Sequence, residues 1–267
     1  MNQHPAAHTL MPLVIDPARL RRAARQCMRR ASAPGADGIT WKTYRADLDD
    51  RLRVLGDRLR QGTWQPSPLR QLAWPDWDKR LPVTIPTVED RIVHRALRNA
   101  AEPILEHAAY QPWSYGWRRR AGHVEAVAAA ARHIQAGRRW VADLDVAAAS
   151  AGAHPDEPVD WLARWIHDGS FLELIRRILR GLPAPLVPGS GLSPMLTNLR
   201  LVQVDEQLAA LTLIRLTDNY TAFCFTRAEA RQAAERISTA LSRRGLAPNL
   251  RKSKIWCPNP EDLYLAG

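Results

Sequence analysis

The sequence predicts an α+β fold in which helices back an antiparallel sheet, and three observations favour it. The chain has 267 residues, of which 46% are hydrophobic, enough for one large domain or two subdomains with a packed core. Apolar residues recur at three- and four-residue steps over 40–60, as in an amphipathic helix. Residues 214–226 (IRLTDNYTAFCFT) are two β-prone runs that meet at Asp218-Asn219, which predicts a hairpin.

Periodicity and capping residues define the other helices. The predicted helices span about 17–30, 40–60, 88–107, 122–136, 160–166, 171–180, 193–211 and 228–244. Asp16-Pro17 supplies the N-cap and first turn of the first helix, and Gly245 is the expected C-cap of the last. The first fifteen or so residues are expected to form a loose leader.

Strands are predicted where β-prone runs lie between these helices. RRWVADLDV (138–146) is typical of a short buried strand, and it ends in acidic residues. Residues 63–86 are punctuated by proline, which indicates short strands and loops with Lys79 and Arg80 at a bend. Short strands are also expected after Gly245. There is no internal repeat, and no linker is long or polar enough to separate independent domains.

The charge balance indicates a polyanionic partner. The chain has 38 Lys+Arg against 27 Asp+Glu, a net charge of +11 and a pI near 10.4. Nucleic acid is the first candidate for such a partner. Almost all of the positive charge is arginine, and an Ala/Arg-rich composition can also reflect a GC-rich genome.

Cysteine usage and hydropathy indicate the compartment. Cys27, Cys224 and Cys257 are widely spaced, which suggests neither a disulfide framework nor a zinc site. No apolar run approaches the roughly 20 residues of a membrane span, and no basic segment precedes the N-terminal apolar residues. A cytoplasmic protein is therefore expected, with no membrane partner.

Carboxylates stand at the ends of two apolar strands. Asp143 and Asp145 end the run at 138–146, and Asp218 and Asn219 lie at the hairpin tip. Polymerases hold two divalent ions with aspartates from neighbouring strands. Asp143 and Asp145 are two residues apart and share a face, so spacing alone does not choose between them. An Asp-Asn pair is also good turn chemistry without any function.

Eight sequence blocks in order carry a resemblance that spans most of the chain. They are GADGITWKTY, LRQGTWQPSPLRQLAWP, KRLPVTIPTVEDRIVHRAL, SYGWRR, IHDGSFLELIRRILRG, GSGLSPMLTNL, RLTDNY and GLAPNLRKSKI. Together they resemble the reverse transcriptases encoded by group II introns. The resemblance implies a right-hand polymerase with fingers and palm. It assigns 1–35 to a basic N-terminal helix, 36–138 to a fingers-like region and 139–267 to a palm-like region, with the thumb missing.

The resemblance also implies an RNA-directed DNA polymerase, its partners and its site residues. Mg²⁺ or Mn²⁺ would be the cofactor, and the partners would be an RNA template with primer, or an RNA–DNA hybrid, and a chain that could supply a thumb. The implied catalytic residues are Asp145, Asp218 and Lys252. The implied metal ligands are Asp145, Asp218 and Asn219. The implied nucleotide contacts are Lys79, Arg80, Ser150, Gly189 and Ser190. The implied nucleic-acid contacts are Arg91, Arg118, Arg119 and Arg120.

Four positions depart from the family pattern. Asn219 replaces the second carboxylate of the hairpin, and Ser150 stands where an aromatic ring usually excludes a ribose 2′-hydroxyl. Ala151 replaces a structural aspartate, and Pro188 replaces a glutamine and lacks a backbone N–H. We therefore expect a weakened enzyme. The alternatives are a catalytically decayed fold that binds RNA and a truncated remnant.

Overall fold

The structure is a computed structural model that describes residues 7–29, 33–72, 83–119 and 121–257. Its helices are α1 (Met11–Ile15), α2 (Pro17–Met28), α3 (Trp41–Ala46), α4 (Leu48–Arg60), α5 (Val88–Ala108), α6 (His123–Gln135), α7 (Glu157–Ala163), α8 (Gly169–Arg180), α9 (Ser193–Asp205) and α10 (Arg227–Ser242). Its strands are β1 (Arg70–Leu72), β2 (Val83–Ile85), β3 (Ser114–Tyr115), β4 (Trp140–Ala147), β5 (Leu213–Leu216), β6 (Asn219–Cys224), β7 (Ala247–Pro248) and β8 (Lys254–Trp256).

The chain divides into two compact units. The first unit combines Met1–Ala109 with Ser150–Leu196, and the second combines Tyr110–Ala149 with Thr197–Gly267. Helices and a sheet therefore occur together, as the predicted mixed fold requires. The three-part division into an N-terminal helix, fingers and palm stays a prediction, because compactness and likeness to polymerase subdomains are different criteria.

The first unit is mainly helical and is organised around α5. This helix begins at the N-cap Thr87, whose hydroxyl accepts a hydrogen bond from Asp90 N–H at 3.2 Å. It buries an apolar face that α1 and α2 contact. The antiparallel pair β1–β2 joins Arg70 to Ile85 and leads into the start of α5.

The second unit contains a sheet in the order β3-β5-β6-β4-β7, with β8 also paired to β4. The central pairs, β4–β6 and β5–β6, are antiparallel, as the sequence predicts for a hairpin beside the strand at 138–146. The edge strand β3 pairs with β5 in the parallel sense. The predicted antiparallel sheet is therefore a mixed sheet at that edge.

The two faces of this sheet differ because strand side chains alternate. Ala142, Leu144 and Val146 of β4 lie on the face that packs against α9 and α10, in the main core of the unit. Val141 lies on the opposite face, in a small cluster with apolar residues of α6, β5 and β6. Asp143 has the same parity as Val141, so this second face is apolar beneath α6 and polar further along β4.

A buried ion pair joins α9 to the hairpin of β5 and β6. Arg215 Nε donates to Asp205 Oδ1 at 2.9 Å and Nη2 donates to Asp205 Oδ2 at 2.7 Å, and both side chains are 0% exposed. The hydroxyl of Tyr220 donates to Asp205 Oδ1 at 2.7 Å. Arg215 Nη1 also donates to the carbonyl of Thr217 at 2.7 Å and to Asn198 Oδ1 at 2.9 Å. The pair thus anchors the turn between the two strands.

The N-terminal segment is more ordered than the sequence predicts. The expectation of a loose leader is wrong for its second half, because Met11–Ile15 forms α1 and Val14 is fully buried. Ala7 also forms a parallel bridge with Ile166 in the same unit. Asp168 holds this segment, since its Oδ2 accepts from Leu10 N–H at 2.7 Å.

Three helix predictions need correction. The range 40–60 is two helices, because Asp47 leaves helical geometry with φ −119° and separates α3 from α4. The helix predicted over 193–211 ends at Asp205, and the one predicted over 160–166 spans Glu157–Ala163. The strand predicted over 138–146 is confirmed as β4 (Trp140–Ala147), and so is the N-cap at Asp16, whose Oδ1 accepts from Arg19 N–H at 2.8 Å.

The buried pair predicts a large loss of stability when one partner is neutralised. In Asp205→Asn the Arg215 charge stays buried without a counter-charge, and we expect the free energy of unfolding to fall by about 3–5 kcal/mol. Urea denaturation measures this change. Glu173→Gln, which breaks the surface pair with Arg176 (2.7 Å), is the matched control and should cost less than about 1 kcal/mol. Equal losses in the two variants would contradict a buried ion pair between Asp205 and Arg215.

Candidate functional site

The hairpin turn carries the first candidate carboxylate. Leu216 pairs with Asn219, so the two turn residues are Thr217 and Asp218, and the prediction of Asp218-Asn219 as the turn is wrong by one residue. Thr217 has φ 57°, the positive φ that two-residue hairpin turns of types I′ and II′ require at their first turn position. A Cβ on Gly116 would lie 2.6 Å from Thr217 Cγ2, so only glycine allows β3 to approach the turn. Asn219 is therefore the first residue of β6.

The strand register brings the two predicted carboxylate positions together. Asp145 of β4 is the cross-strand partner of Asn219, and Val146 N–H donates to the carbonyl of Asp218 at 3.1 Å. Asp145 on β4 and Asp218 in the turn before β6 thus lie at the same end of the sheet. Strand pairing determines this placement, so it does not depend on flexible loops.

Asp143 is tied to neighbouring strands. Thr221 Oγ1 donates to Asp143 Oδ1 at 3.2 Å, and the Asn219 side chain also forms a hydrogen bond with this carboxylate. Lys254 is the cross-strand partner of Asp143 on β8. Burial raises the pKa of Asp143, and the hydrogen bonds from Thr221 and Asn219 and the charge of Lys254 oppose that rise. Asp143 is the better anchored of the two acids on β4.

Lys252 is close to Asp145. Its Nζ lies 3.9 Å from Asp145 Oδ2, with the lysine side chain 67% exposed and the aspartate 26% exposed. Asn249 N–H donates to the Asp145 carbonyl at 2.7 Å, and Asn249 Oδ1 accepts from Arg251 N–H at 3.2 Å. These contacts hold the segment before β8 against β4. The structure therefore brings the three residues of the predicted catalytic set, Asp145, Asp218 and Lys252, to one region of the second unit.

One buried acceptor bears on whether a cation would fit here. Asn219 Oδ1 is buried without a hydrogen-bond donor, a costly state that a cation would relieve. Together with Asp145 and Asp218 it would offer only oxygen ligands, which Mg²⁺ and Mn²⁺ prefer. Within residues 7–29, 33–72, 83–119 and 121–257, no three Asp, Glu, His or Cys side chains converge. These donors are of the kind that a hard divalent ion would take, and in the described ranges they do not form a three-carboxylate site.

A separate cavity lies in the first unit. Its volume is about 320 Å³, and Arg91, Arg95, Thr84, Gly189 and Gly191 are among its lining residues. Two guanidinium groups beside exposed backbone suit a phosphate-bearing ligand. The structure thus brings Arg91 and Gly189, two of the predicted contacts, to one cavity.

Gly189 is required by close contact with β2. Thr84 N–H donates to the Pro188 carbonyl at 3.0 Å, and Thr84 Oγ1 donates to the same oxygen at 3.1 Å. Gly189 has φ 99°, and an added Cβ would lie 1.8 Å from the Thr84 carbonyl oxygen. No side chain fits there. Pro188 lacks an N–H, and its carbonyl carries the link to the strand.

Three residues predicted to contact nucleotide or nucleic acid are half-buried or contact other parts of the protein. Ser190 is 4% exposed, and its hydroxyl accepts from Leu192 N–H at 3.3 Å. Ser150 is half-buried in the loop after β4. Arg118 Nη1 donates to the Gln111 carbonyl at 3.0 Å, so its guanidinium contacts its own unit. The roles assigned to Ser190, Ser150 and Arg118 stay predictions.

The remaining predicted residues are either exposed or outside the described part. Arg119 is exposed. Lys79, Arg80 and Arg120 lie outside the described residues, so their predicted contacts with triphosphate and nucleic acid stay predictions. No helix in the described ranges is long and apolar enough to cross a membrane.

Sequence reasoning missed several residues around these sites. Arg95 lies four residues after Arg91 on α5, and helical spacing alone could have placed both on one face. Asp205 and Arg215 gave no such signal, because their contact joins a helix to a strand across an irregular connection. The hydrogen bond from Asn219 to Asp143 depends on strand register, which is a long-range property.

Comparison with known proteins gives a distant curated relative and distant solved structures. No family model matches the chain. Protein YkfC of Escherichia coli (strain K12) is 29% identical over 216 residues, which are 74% of this chain and 56% of that protein. The chain therefore spans just over half the length of this relative. Chains of the partial Cas6-RT-Cas1–Cas2 complex and of the Cas6-RT-Cas1–Cas2 complex are 18% identical with a TM-score of 0.49, over 88% of this chain and 42% and 26% of theirs.

His94 predicts a stability loss in acid. It is 2% exposed and its Nδ1 accepts from Gly191 N–H at 3.3 Å, so it is a core residue. Burial, with a smaller effect of Arg91, lowers its pKa from 6.5 to about 4. The unfolded chain therefore binds more protons below pH 6.5, and stability should fall by about 3 kcal/mol as pH drops from 6.5 to 4.

Urea denaturation over this pH range measures the His94 effect. His94→Gln keeps a hydrogen-bonding side chain without a titrating group, so the wild-type loss minus the variant loss isolates the histidine. Other groups that titrate in this range contribute equally to both proteins. Parallel pH curves for the two proteins would contradict a buried neutral His94.

Proposed function

We propose that this chain is a metal-dependent nucleotidyltransferase of the reverse-transcriptase class, which adds nucleotides to a primer 3′-hydroxyl on an RNA template. The observation that carries this proposal is the pairing of Asp145 with Asn219, which brings the carboxylates of Asp145 and Asp218 to one end of a sheet with Lys252 beside them. The ordered sequence blocks that resemble group II intron reverse transcriptases supply the reaction class. A partner chain that supplies a thumb is part of the proposal.

Each residue of the second-unit site has a chemical role in this proposal. Asp145, Asp218 and the Asn219 amide oxygen would hold Mg²⁺ or Mn²⁺. When bound, that ion would activate the primer hydroxyl and neutralise charge on the phosphates. Lys252 can supply a proton to the departing pyrophosphate, because its ammonium is already at the carboxylate end of the sheet.

In the first unit, Arg91 and Arg95 are the candidate phosphate contacts of the cavity. Guanidinium groups donate charge-assisted hydrogen bonds to phosphate oxygens, and Arg91 already donates through Nη2 to the Ala33 carbonyl at 2.6 Å. Gly189 also lines this cavity and is exposed, so its backbone would be accessible to a ligand there. The contacts proposed for Lys79, Arg80, Ser150, Ser190, Arg118, Arg119 and Arg120 come from the sequence resemblance alone.

The site residues also indicate why activity would be weak. Asn219 contributes no charge, and its side chain is engaged by Asp143. Lys252 places a positive charge near the Asp145 carboxylate. Both features lower the affinity for a divalent ion relative to a site with two hairpin aspartates.

Primer extension on a polyriboadenylate template with oligothymidylate primer tests the proposal. Asp145→Asn and Asp218→Asn should each lower the rate by at least about a hundredfold, because each removes a charged ligand worth several kcal/mol in the transition state. Asp160→Asn changes an exposed aspartate of α7 and should leave the rate unchanged. Lack of extension by concentrated wild-type protein with Mg²⁺ or Mn²⁺ would refute the enzyme.

Asn219→Asp tests the cation site without relying on activity. The substitution replaces the hydrogen bond to Asp143 by a like-charge contact, so the melting temperature in chelator should fall below that of the wild type. Millimolar Mg²⁺ should then raise the melting temperature of the variant more than that of the wild type, since binding to the folded state stabilises it. Equal Mg²⁺ effects on both proteins would contradict a cation site at Asn219. The extension rate should rise in parallel.

A second candidate is an RNA-binding module whose chemistry has decayed. The pairing of Lys252 with Asp145 favours it, because this contact balances the carboxylate without any metal. For such a module, Asp145→Asn should leave salt-dependent RNA binding intact while wild-type protein gives no extension. RNA binding that does not change with salt concentration would contradict this candidate.

A further inference from the structure

Two histidines of the first unit lie side by side, away from the sites described above. The rings of His8 and His167 have their centroids 5.3 Å apart, and their planes are inclined at 76°. Both residues are exposed to solvent. His8 belongs to the N-terminal segment and His167 lies just before α8, so the pair joins two parts of the chain that are distant in sequence.

Hydrogen bonds hold the backbone that carries the two rings. Ala7 forms a parallel bridge with Ile166, and His167 N–H donates to the Ala7 carbonyl at 2.8 Å. His8 and His167 each directly follow a residue of this bridge. Beyond His8 the chain is held by Asp168, whose Oδ2 accepts from two successive backbone N–H groups at 2.7 and 2.8 Å. The backbone therefore places the rings together, and a shared ligand would require little further ordering.

The spacing of the rings matches that of two imidazole ligands on one tetrahedral metal ion. In zinc sites the metal lies about 2.0–2.1 Å from a ring nitrogen, and therefore about 3.2 Å from the ring centre. Two rings at the tetrahedral angle then have centres about 5.2 Å apart. The observed 5.3 Å agrees with this value. Rings inclined at 76° are also not stacked face to face, the arrangement that would exclude a shared ion.

The ligand atoms select the kind of ion. Imidazole nitrogen suits Zn²⁺, whereas Mg²⁺ and Mn²⁺ prefer oxygen. Among the residues that the structure describes, no third histidine, cysteine or carboxylate converges on the pair. The oxygens of Asp168 already accept from backbone N–H groups. Water would complete the coordination, so the site would be open and exchangeable, unlike the closed four-ligand sites of structural zinc.

We propose that His8 and His167 bind one Zn²⁺ ion, which clips the N-terminal segment to the segment before α8. Such a clip closes a long loop of chain, and in the loop-entropy argument a metal clip stabilises most when the loop it closes is long. The site uses nitrogen ligands of the first unit and takes no part in nucleotidyl transfer. It can therefore hold or fail independently of the proposed function.

Zinc binding to the full chain, measured by competition with a chromophoric chelator, tests the site. At equal free Zn²⁺ the wild type should bind one more ion per chain than His8→Gln or His167→Gln. Loss of an outer partner of a metal ligand costs about ten- to hundredfold in affinity, so removal of a ligand itself should cost at least as much. Both side chains are exposed, so the substitutions leave the core intact. Equal zinc binding by the wild type and both variants would overturn the proposal.

The matched control removes two other exposed histidines. His107→Gln, His123→Gln should bind as much Zn²⁺ as the wild type, and loss of one ion in this variant would overturn a site that depends on position. Asp145→Asn should also keep the ion, and its loss there would assign the ion to the second unit instead. Excess Mg²⁺ should not displace the Zn²⁺, because the proposed ligands are nitrogen atoms. Displacement by Mg²⁺ would overturn the histidine site.

Limited digestion with chymotrypsin tests whether the ion acts as a clip. An ion that binds only when the N-terminal segment is in place lowers the open fraction of that segment by the factor 1 + [Zn²⁺]/Kd. At free Zn²⁺ of about ten times Kd, cleavage after Leu10 should therefore slow about tenfold in the wild type. His8→Gln should be cleaved at the same rate with and without Zn²⁺. Equal slowing in the two proteins, or none in the wild type, would overturn the clip.

Discussion

The ion pair of Arg215 and Asp205 is the contact on which the second unit depends. Both charges are removed from water, a state that is tolerated because the hydrogen-bonding capacity of each side chain is satisfied by Tyr220, Asn198 and the Thr217 carbonyl. The pair joins α9 to β5 and at the same time holds the turn. This buried charge network thereby holds the turn that carries the half-buried Asp218.

In both units, backbone hydrogen bonds and strand register position the candidate site residues. In the second unit, the register of β4 and β6 pairs Asp145 with Asn219. The same register places the apolar side chains of β4 on the opposite face, in the core. In the first unit, the loop at Gly189 is held against β2 by hydrogen bonds to the Pro188 carbonyl. Neither arrangement depends on a long flexible side chain.

Local patterns were sufficient to predict much of this fold, and long-range ones were not. The N-cap at Asp16, the helices α5 and α6 and the strand β4 follow from spacing and capping within a few residues. The order at Val14 depends on a core formed by distant segments, so sequence alone missed it. The turn was predicted one residue too late, because Thr217 has a positive φ, which threonine rarely adopts. The ordered motifs were sufficient to select Asp145, Asp218 and Lys252. The contacts of Asp143 with Thr221, Asn219 and Lys254 form only when β4, β6 and β8 pair, so the sequence did not show them.

The ammonium of Lys252 has a further consequence. It belongs to the chain itself and lies 3.9 Å from Asp145 Oδ2, so its charge would compete with any dissolved cation for that carboxylate. If an ion coordinates Asp145 as proposed, it would compete with the Lys252 ammonium for the same carboxylate. Ion occupancy and the distance between Lys252 and Asp145 would then be linked, with a longer distance when an ion is bound.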